Sequence, residues 1–324
     1  MRAGEFELIH RHFAPLATAP GALELKDDAA LIEAETGEEI VVTVDAMVQG
    51  VHFLRDDPPD LVARKLLRVN LSDLAGMGAR PFGYLLTTAW SGAVDEAWVA
   101  EFARGLAIDQ AEFGLSLLGG DTVSTPGPVS FTATLLGRVA AGRALRRDGA
   151  RPGERLYLSG SLGDGALGLK AARGELDDVL APEDREALAG RYRLPEPRIA
   201  LGLGLVGLAS AAMDVSDGLI QDAGHMARAS GVRLVVERGR LPLSAPAARA
   251  VAADPTLWDG VMGGGDDYEL LVAAPAGEAV DAAFTEIGWV EAGEGVVALD
   301  EAGRPLEIRR AGWRHFRDGE REPA

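Results

Sequence analysis

Asp214-Val215-Ser216-Asp217-Gly218 places two carboxylates in a five-residue turn that runs straight into a helical stretch, residues 218–230. Such a turn has an ordinary reading, because Asp and Ser oxygens bond the free N–H groups at a helix start. Other short Gly-, Ser- or Asn-flanked segments, expected as turns after strand-like or apolar runs, carry more aspartates. They are Asp28 in Lys26-Asp27-Asp28, Asp45 in Thr43-Val44-Asp45, Asp73 in Asn70-Leu71-Ser72-Asp73, and Asp121 in Gly119-Gly120-Asp121. Capping does not account for Gly119-Gly120-Asp121, nor for the crowded Gly263-Gly264-Gly265-Asp266-Asp267. Adjacent glycines let backbone amides approach a phosphate while a neighbouring carboxylate holds the cation that neutralises it. Mg²⁺ is usually held by a few carboxylates plus substrate phosphates, so the pattern points to metal-bridged phosphate chemistry.

Composition narrows the class. A chain of 324 residues is too long for one ordinary core, which predicts two domains. Hydrophobic residues at 47% and charged residues at 25% are values for a soluble globular protein. Fifty acids against 32 bases give a net charge of −18, which argues against nucleic-acid binding by a basic surface. An acidic site holds an anionic ligand only through bridging cations. Cysteine is absent, which excludes disulfides and zinc–thiolate sites. Residues 1–6 carry no apolar signal segment and no run of about 18 apolar residues exists, so the expectation is a cytoplasmic chain with no membrane partner.

Periodicity orders the elements. Apolar spacing predicts helices at 5–14, 58–78 and 95–113, with Asn70 and Asp73 in the second half of the middle one. Strands are predicted at 40–45, 84–89, 115–118 and 129–137. The polar, Pro/Gly-punctuated segment 143–153 is the expected boundary between an N-terminal domain, 1–140, and a C-terminal domain, 150–324. Beyond it come a strand at 154–159, a helix from about 164, a helical 182–210, the helix at 218–230, and strands at 232–237 and 269–274.

Gly163-Asp164-Gly165-Ala166-Leu167-Gly168 matches the dinucleotide fingerprint in its strand-to-helix setting. A second parallel strand should follow, and the helical 182–210 stands there instead, so the motif reads better as a general anion seat at a helix start. No P-loop motif occurs. His10, His12 and His225 read as surface or packing residues on helices, whereas His52 follows the Asp45 segment closely enough to serve the same site.

Taken together these segments resemble the thiamine-monophosphate kinase family of the PurM-like (aminoimidazole-ribonucleotide-synthetase-like) superfamily. The most specific pieces are Val69-Asn70-Leu71-Ser72-Asp73-Leu74-Ala75, Gly119-Gly120-Asp121-Thr122, Asp214-Val215-Ser216-Asp217-Gly218-Leu219 and Asp267-Tyr268-Glu269-Leu270. The resemblance implies a two-domain α/β (α+β) fold whose N-terminal sheet pairs across a homodimer, with a C-terminal α/β domain completing the phosphate and substrate site. It implies ATP- and Mg²⁺-dependent phosphorylation of thiamine monophosphate to thiamine diphosphate, with several Mg²⁺ ions and no general base. By the same resemblance Asp28, Thr43, Asp45, Asp73, Asp121, Asp214 and Asp217 correspond to Mg²⁺ ligands. Gly120, Asp121, Arg147 and Ser216 correspond to ATP contacts, and His52, Asp266 and Trp313 to contacts with thiamine monophosphate. Three positions depart from the family pattern: Lys26 replaces a glycine, Val44 a hydroxyl residue and Asp266 a glutamate. The alternatives are another ATP-dependent synthetase of the superfamily, a non-catalytic Mg-nucleotide-binding protein, and a Rossmann dehydrogenase.

Overall fold

From residue 41 to 47 every second side chain is more covered than its neighbours, the period of a strand with one covered face. The computed structural model of the chain describes residues 5–25, 30, 32, 35–278, 280–308 and 311–313. In chain order it holds α1 (Glu5–Leu8), β1 (Glu38–Val48), α2 (Pro59–Gly76), β2 (Arg80–Ser91), α3 (Glu96–Phe113), β3 (Leu117–Thr125) and β4 (Ser130–Ala140). There follow β5 (Arg155–Ser159), α4 (Asp164–Ala172), α5 (Pro182–Arg193), α6 (Ile199–Gly204), β6 (Ala211–Val215) and α7 (Leu219–Ser230). The last elements are β7 (Arg233–Glu237), α8 (Ala245–Ala253), α9 (Trp258–Gly263), β8 (Glu269–Ala274), β9 (Phe284–Glu291) and β10 (Gly295–Leu299).

The chain divides into two compact units, Met1–Leu145 with Arg193–Gly207, and Arg146–Tyr192 with Leu208–Ala324. Residues 193–207, expected in the second domain, thus pack in the first. The expected continuous helix over 182–210 is also broken, because Pro195 and Pro197 cannot continue it. The intervening chain is tied to the first unit by charge. Arg193 donates to Asp57 at 2.6 Å, and Arg68 donates to the Pro195 carbonyl and the Glu196 carboxylate at 3.2 and 3.3 Å.

The sheet of the first unit has the order β1-β4-β2-β3, antiparallel except for the β2–β3 pair. Helix α2 packs against β1, β4 and α3. An aromatic cluster of Trp90, Trp98, Phe102 and Phe131 ties α3 to the sheet, with the Phe102 and Phe131 ring centres 4.4 Å apart. Between α2 and α3, the 3%-exposed Arg68 meets the fully buried Asp109 with two nitrogens on two oxygens, at 2.8 and 3.2 Å. Arg64 donates to the same carboxylate at 2.7 Å.

The second unit holds a six-stranded sheet of order β10-β7-β9-β5-β8-β6, antiparallel except for β10–β7. Because β5 lies between two antiparallel neighbours, the glycine motif after it opens no parallel β-α-β unit, and the Rossmann alternative fails on topology. All five residues of the edge strand β6 are buried. Part of its edge is covered by the start of the unit, where the Ala212 N–H donates to the Arg146 carbonyl at 3.0 Å.

Removing one member of a buried ion pair leaves the other charge uncompensated. Asp109→Ala is therefore expected to lower the unfolding free energy by about 3–5 kcal/mol, read from urea denaturation.

Candidate functional site

In the first unit, Thr43 and Asp45 lie two residues apart on β1, both half-buried on the side facing α2. The Thr43 hydroxyl donates to the carboxylate of Asp73, which projects from α2. Val44 points to the opposite face and is 59% exposed. A hydroxyl at position 44 would therefore not have faced Asp73, and valine there removes no side-chain oxygen from that side. On β3, Gly120 pairs with Leu86, and a Cβ at position 120 would stand 1.8 Å from the Leu86 carbonyl oxygen. Glycine is required there for strand contact, whatever else that backbone touches. Asp121 follows, exposed, its Oδ1 accepting from the Thr122 N–H at 2.9 Å.

His52 closes the turn after β1. Its Nδ1 accepts from the Val48 N–H at 3.0 Å, which leaves the ring proton on Nε2. Its carbonyl accepts from the buried Lys65 ammonium at 3.1 Å.

Three of the aspartates expected in turns lie within strands, Asp45 in β1, Asp121 in β3 and Asp214 in β6, while Asp73 lies in α2, the helix expected over 58–78. The strands run past the predicted ends because their pairing continues, β1 to Val48 opposite Ser130 and β3 to Thr125 opposite Ser91. Asp217 does occupy a turn, and Asp28 and Lys26 lie outside the described residues.

In the second unit, Asp214 is buried on β6, paired with Leu270, and the chain then turns through Ser216, Asp217 and Gly218 into α7. One oxygen of Asp222, in the first turn of that helix, accepts the N–H groups of Ser216, Asp217 and Gly218 at 3.1, 3.0 and 3.1 Å. Burial, and then the Asp217 carboxylate, push Asp222 up to about 7 against those three donors. The 263–268 loop is laced to the same turn, with the Asp266 N–H on the Ser216 carbonyl and the Tyr268 N–H on the Val215 carbonyl, both at 2.8 Å. Asp266 and Tyr268 have φ of +65° and +54°, and the Tyr268 hydroxyl donates to Asp266 at 3.0 Å. Left-handed backbone at two non-glycine residues is strain that the surrounding bonds must hold. Trp313 joins this group, its N–H donating to the Asp217 carbonyl at 2.9 Å. Ser216, Asp217, Asp266 and Trp313 therefore form one neighbourhood.

Arg147 is exposed on the opening segment of the unit, its carbonyl accepting from Ser230 at the far end of α7. His225, between the two ends, is held below its ordinary value by burial and by the charges of Arg228 and Arg147, with Asp217 opposing. A cleft of about 230 Å³ along this helix is lined by Ile220, Gln221, Gly224, His225, Arg228 and Ala311.

The anion seat expected at the glycine motif is already taken. The fully buried Asp267 accepts from the Gly163 and Gly165 N–H groups at 2.9 and 3.0 Å, at the start of α4. Asp267 stands in the glycine-rich segment singled out from the sequence but has no role of its own there, and Asp222 is not singled out, though an acid in a helix's first turn is the available signal.

Thr43, Asp45, Asp73, Asp121, Asp214 and Asp217 all offer oxygen atoms, which suit a hard cation. Among the described residues no three His, Asp or Glu side chains already converge as a metal cage. Mg²⁺ does not need one, since it keeps waters and substrate phosphates among its ligands.

The chain matches the models of AIR synthase related protein, N-terminal domain at residues 26–139 and C-terminal domain at residues 151–300. It is thus a two-domain protein of the PurM-like class. It is 47% identical to the thiamine-monophosphate kinase of Caulobacter vibrioides, over 96% of this chain and 90% of that protein. The solved thiamine-monophosphate kinase of Stenotrophomonas maltophilia K279a superposes with a TM-score of 0.81 at 38% identity, covering 92% of this chain and 97% of that one. AaThiL, solved in complex with AMPPCP and TMP, superposes at 0.78 with 31% identity, covering 98% and 99%. The chain belongs to the thiamine-monophosphate kinase family.

The Asp267 carboxyl, pushed up to about 8 by burial, keeps its proton in the folded state where an unfolded aspartate has lost it. Its contribution to stability is therefore complete below about pH 4 and declines as pH rises toward 8, at a slope approaching about 1.4 kcal/mol per pH unit. In Asp267→Asn the amide accepts only one of the two N–H donors, so the variant is less stable at pH 5. The gap to wild type should narrow between pH 5 and 8, measured by urea unfolding across that range.

Proposed function

We propose that this chain transfers the terminal phosphoryl group of Mg-ATP directly, in line, to the phosphate of thiamine monophosphate in the cytoplasm. The ATP-dependent phosphorylation of thiamine monophosphate is the reaction of its family, and it yields thiamine diphosphate. The observation that carries the reading is the near full-length likeness to AaThiL solved with AMPPCP, an ATP analogue, and TMP.

The acceptor needs no activation. The second pKa of a phosphate monoester lies near 6, so its oxygen is already ionised at neutral pH. That oxygen attacks the terminal phosphorus, the bond to the bridging oxygen breaks, and ADP leaves carrying the electron pair. The obstacle is repulsion between two polyanions: at 4 Å two unit charges cost roughly 4 kcal/mol at an effective dielectric near 20. Catalysis is then positioning and electrostatics rather than acid–base chemistry.

In this reading Asp28, Thr43, Asp45, Asp73 and Asp121 of the N-terminal domain, and Asp214 and Asp217 of the C-terminal domain, supply oxygen ligands for Mg²⁺. Bound Mg²⁺ neutralises phosphate charge. The Thr43–Asp73 contact supports this, since it already draws two oxygens together beside Asp45. Gly120, Asp121, Ser216 and Arg147 contact ATP, with the exposed Arg147 guanidinium as a planar donor for phosphate oxygens. His52 offers its Nε2 proton to thiamine monophosphate, Asp266 a carboxylate, and Trp313 a ring face. A cationic thiazolium over tryptophan is worth roughly 0.5–2 kcal/mol.

A homodimer through the N-terminal sheet completes the reading. Strand β1 is an eleven-residue edge, and its outward face carries Ile40, Val42 and Val44, continued by Leu85 on β2, all 41–59% exposed. A long unpaired edge beside exposed apolar side chains is a surface that another chain covers. Among the described residues no helix is long and apolar enough to cross a membrane.

The test is incubation with Mg-ATP and thiamine monophosphate, with thiamine as control, and separation of the thiamine esters. Diphosphate formed from the monophosphate alone and abolished by EDTA is expected; ATP binding without product would sink the proposal. Asp45→Asn and Asp121→Asn should each lower kcat by about 100-fold or more, the scale of one lost electrostatic contact, with unchanged circular dichroism. The double variant Val42→Lys with Val44→Lys should run as a monomer in light scattering while the wild type runs as a dimer.

A further inference from the structure

We propose that Gln221 is a positioning residue that latches Trp313 to the Asp217 carboxylate and so sets where the indole meets thiamine monophosphate; this rests on Trp313 being a substrate contact. Gln221 lies in the first turn of α7. Its Nε2 donates to the Asp217 carboxylate at 2.8 Å and to the Trp313 carbonyl at 2.9 Å. A carboxamide has two N–H donors, and both are used. The Trp313 N–H in turn donates to the Asp217 carbonyl at 2.9 Å. The three bonds close a ring through Asp217, Gln221 and Trp313, so the main chain of Trp313 is held from both sides while the residue remains 38% exposed.

Gly312 gives an independent sign of the same contact. A Cβ there would stand 2.4 Å from the Gln221 Cβ and 2.7 Å from its Cδ and Oε1. The chain before Trp313 lies flat on the Gln221 side chain, and only glycine allows that approach. The Gln221 Oε1 is buried and takes no hydrogen bond among the described residues, so the donors of this amide, not its acceptor, hold it in place. Glutamate is the same size and has no donor. It would set a carboxylate against the Asp217 carboxylate and the Trp313 carbonyl, opening the ring without removing bulk.

The experiment measures KM for thiamine monophosphate and for ATP in Gln221→Glu, Gly312→Ala, Trp313→Ala and the double variant Gln221→Glu with Trp313→Ala. Gln221→Glu and Gly312→Ala should each raise KM for thiamine monophosphate about tenfold, the scale of a lost hydrogen bond, with KM for ATP within about twofold. In the Trp313→Ala background, Gln221→Glu should add nothing, because the ring it positions is gone. Multiplied effects in the double variant, or equal rises in both KM values, would overturn the latch. An unchanged KM in Trp313→Ala would overturn the substrate role of Trp313 and the proposal with it. A raised KM in Trp313→Ala with none in Gln221→Glu would overturn the latch alone.

Discussion

One oxygen of Asp222 organises the turn between β6 and α7 in the second unit. Three consecutive N–H groups, from Ser216 to Gly218, point at it, which forces the chain to turn sharply between β6 and α7. That turn exposes the carbonyls of Val215, Ser216 and Asp217 as acceptors, and the Tyr268, Asp266 and Trp313 N–H groups occupy them in that order. The 263–268 loop and the 311–313 segment are thus hung on a turn that a buried carboxylate shapes. Those hydrogen bonds help to hold the strained Asp266 and Tyr268 conformations.

A second consequence concerns charge. Helix N-termini are ready anion seats, yet at the start of α4 the protein fills one with its own carboxylate, Asp267, while Asp222 takes the N–H groups of the turn that precedes α7. In a chain of net charge −18, an outside anion finds the Gly163 and Gly165 N–H groups already occupied. Neutral forms of the two buried acids are favoured by burial, which lessens the repulsion stored around Asp217 and Glu269.

The Val44 and Gly120 positions show how a motif divides between chemistry and packing. Thr43 and Asp45 share one face of β1 while Val44 takes the other, so adjacent residues of one motif serve the α2 side and the exposed sheet face respectively. Gly120 admits the Leu86 carbonyl, a need of strand pairing that would hold even in a protein with no ligand. Such positions read as functional in a sequence because folding and chemistry constrain the same residue.

Sequence alone determined the family and most of the elements, though not α8, α9, β9 and β10 or the break between α5 and α6, because 3.6- and 2-residue periodicities and short glycine–aspartate segments are local properties of the chain. It also named the candidate aspartates. Tertiary structure decided the rest. Sheet order, the return of residues 193–207 to the first unit, the extension of β1 and β3 past their aspartates, the capture of Asp267 by Gly163 and Gly165, and that of Trp313 by Gln221 depend on partners distant in the chain. Nothing in a window of neighbouring residues encodes which backbone N–H a carboxylate 100 positions away will meet; only packing brings them within 3 Å.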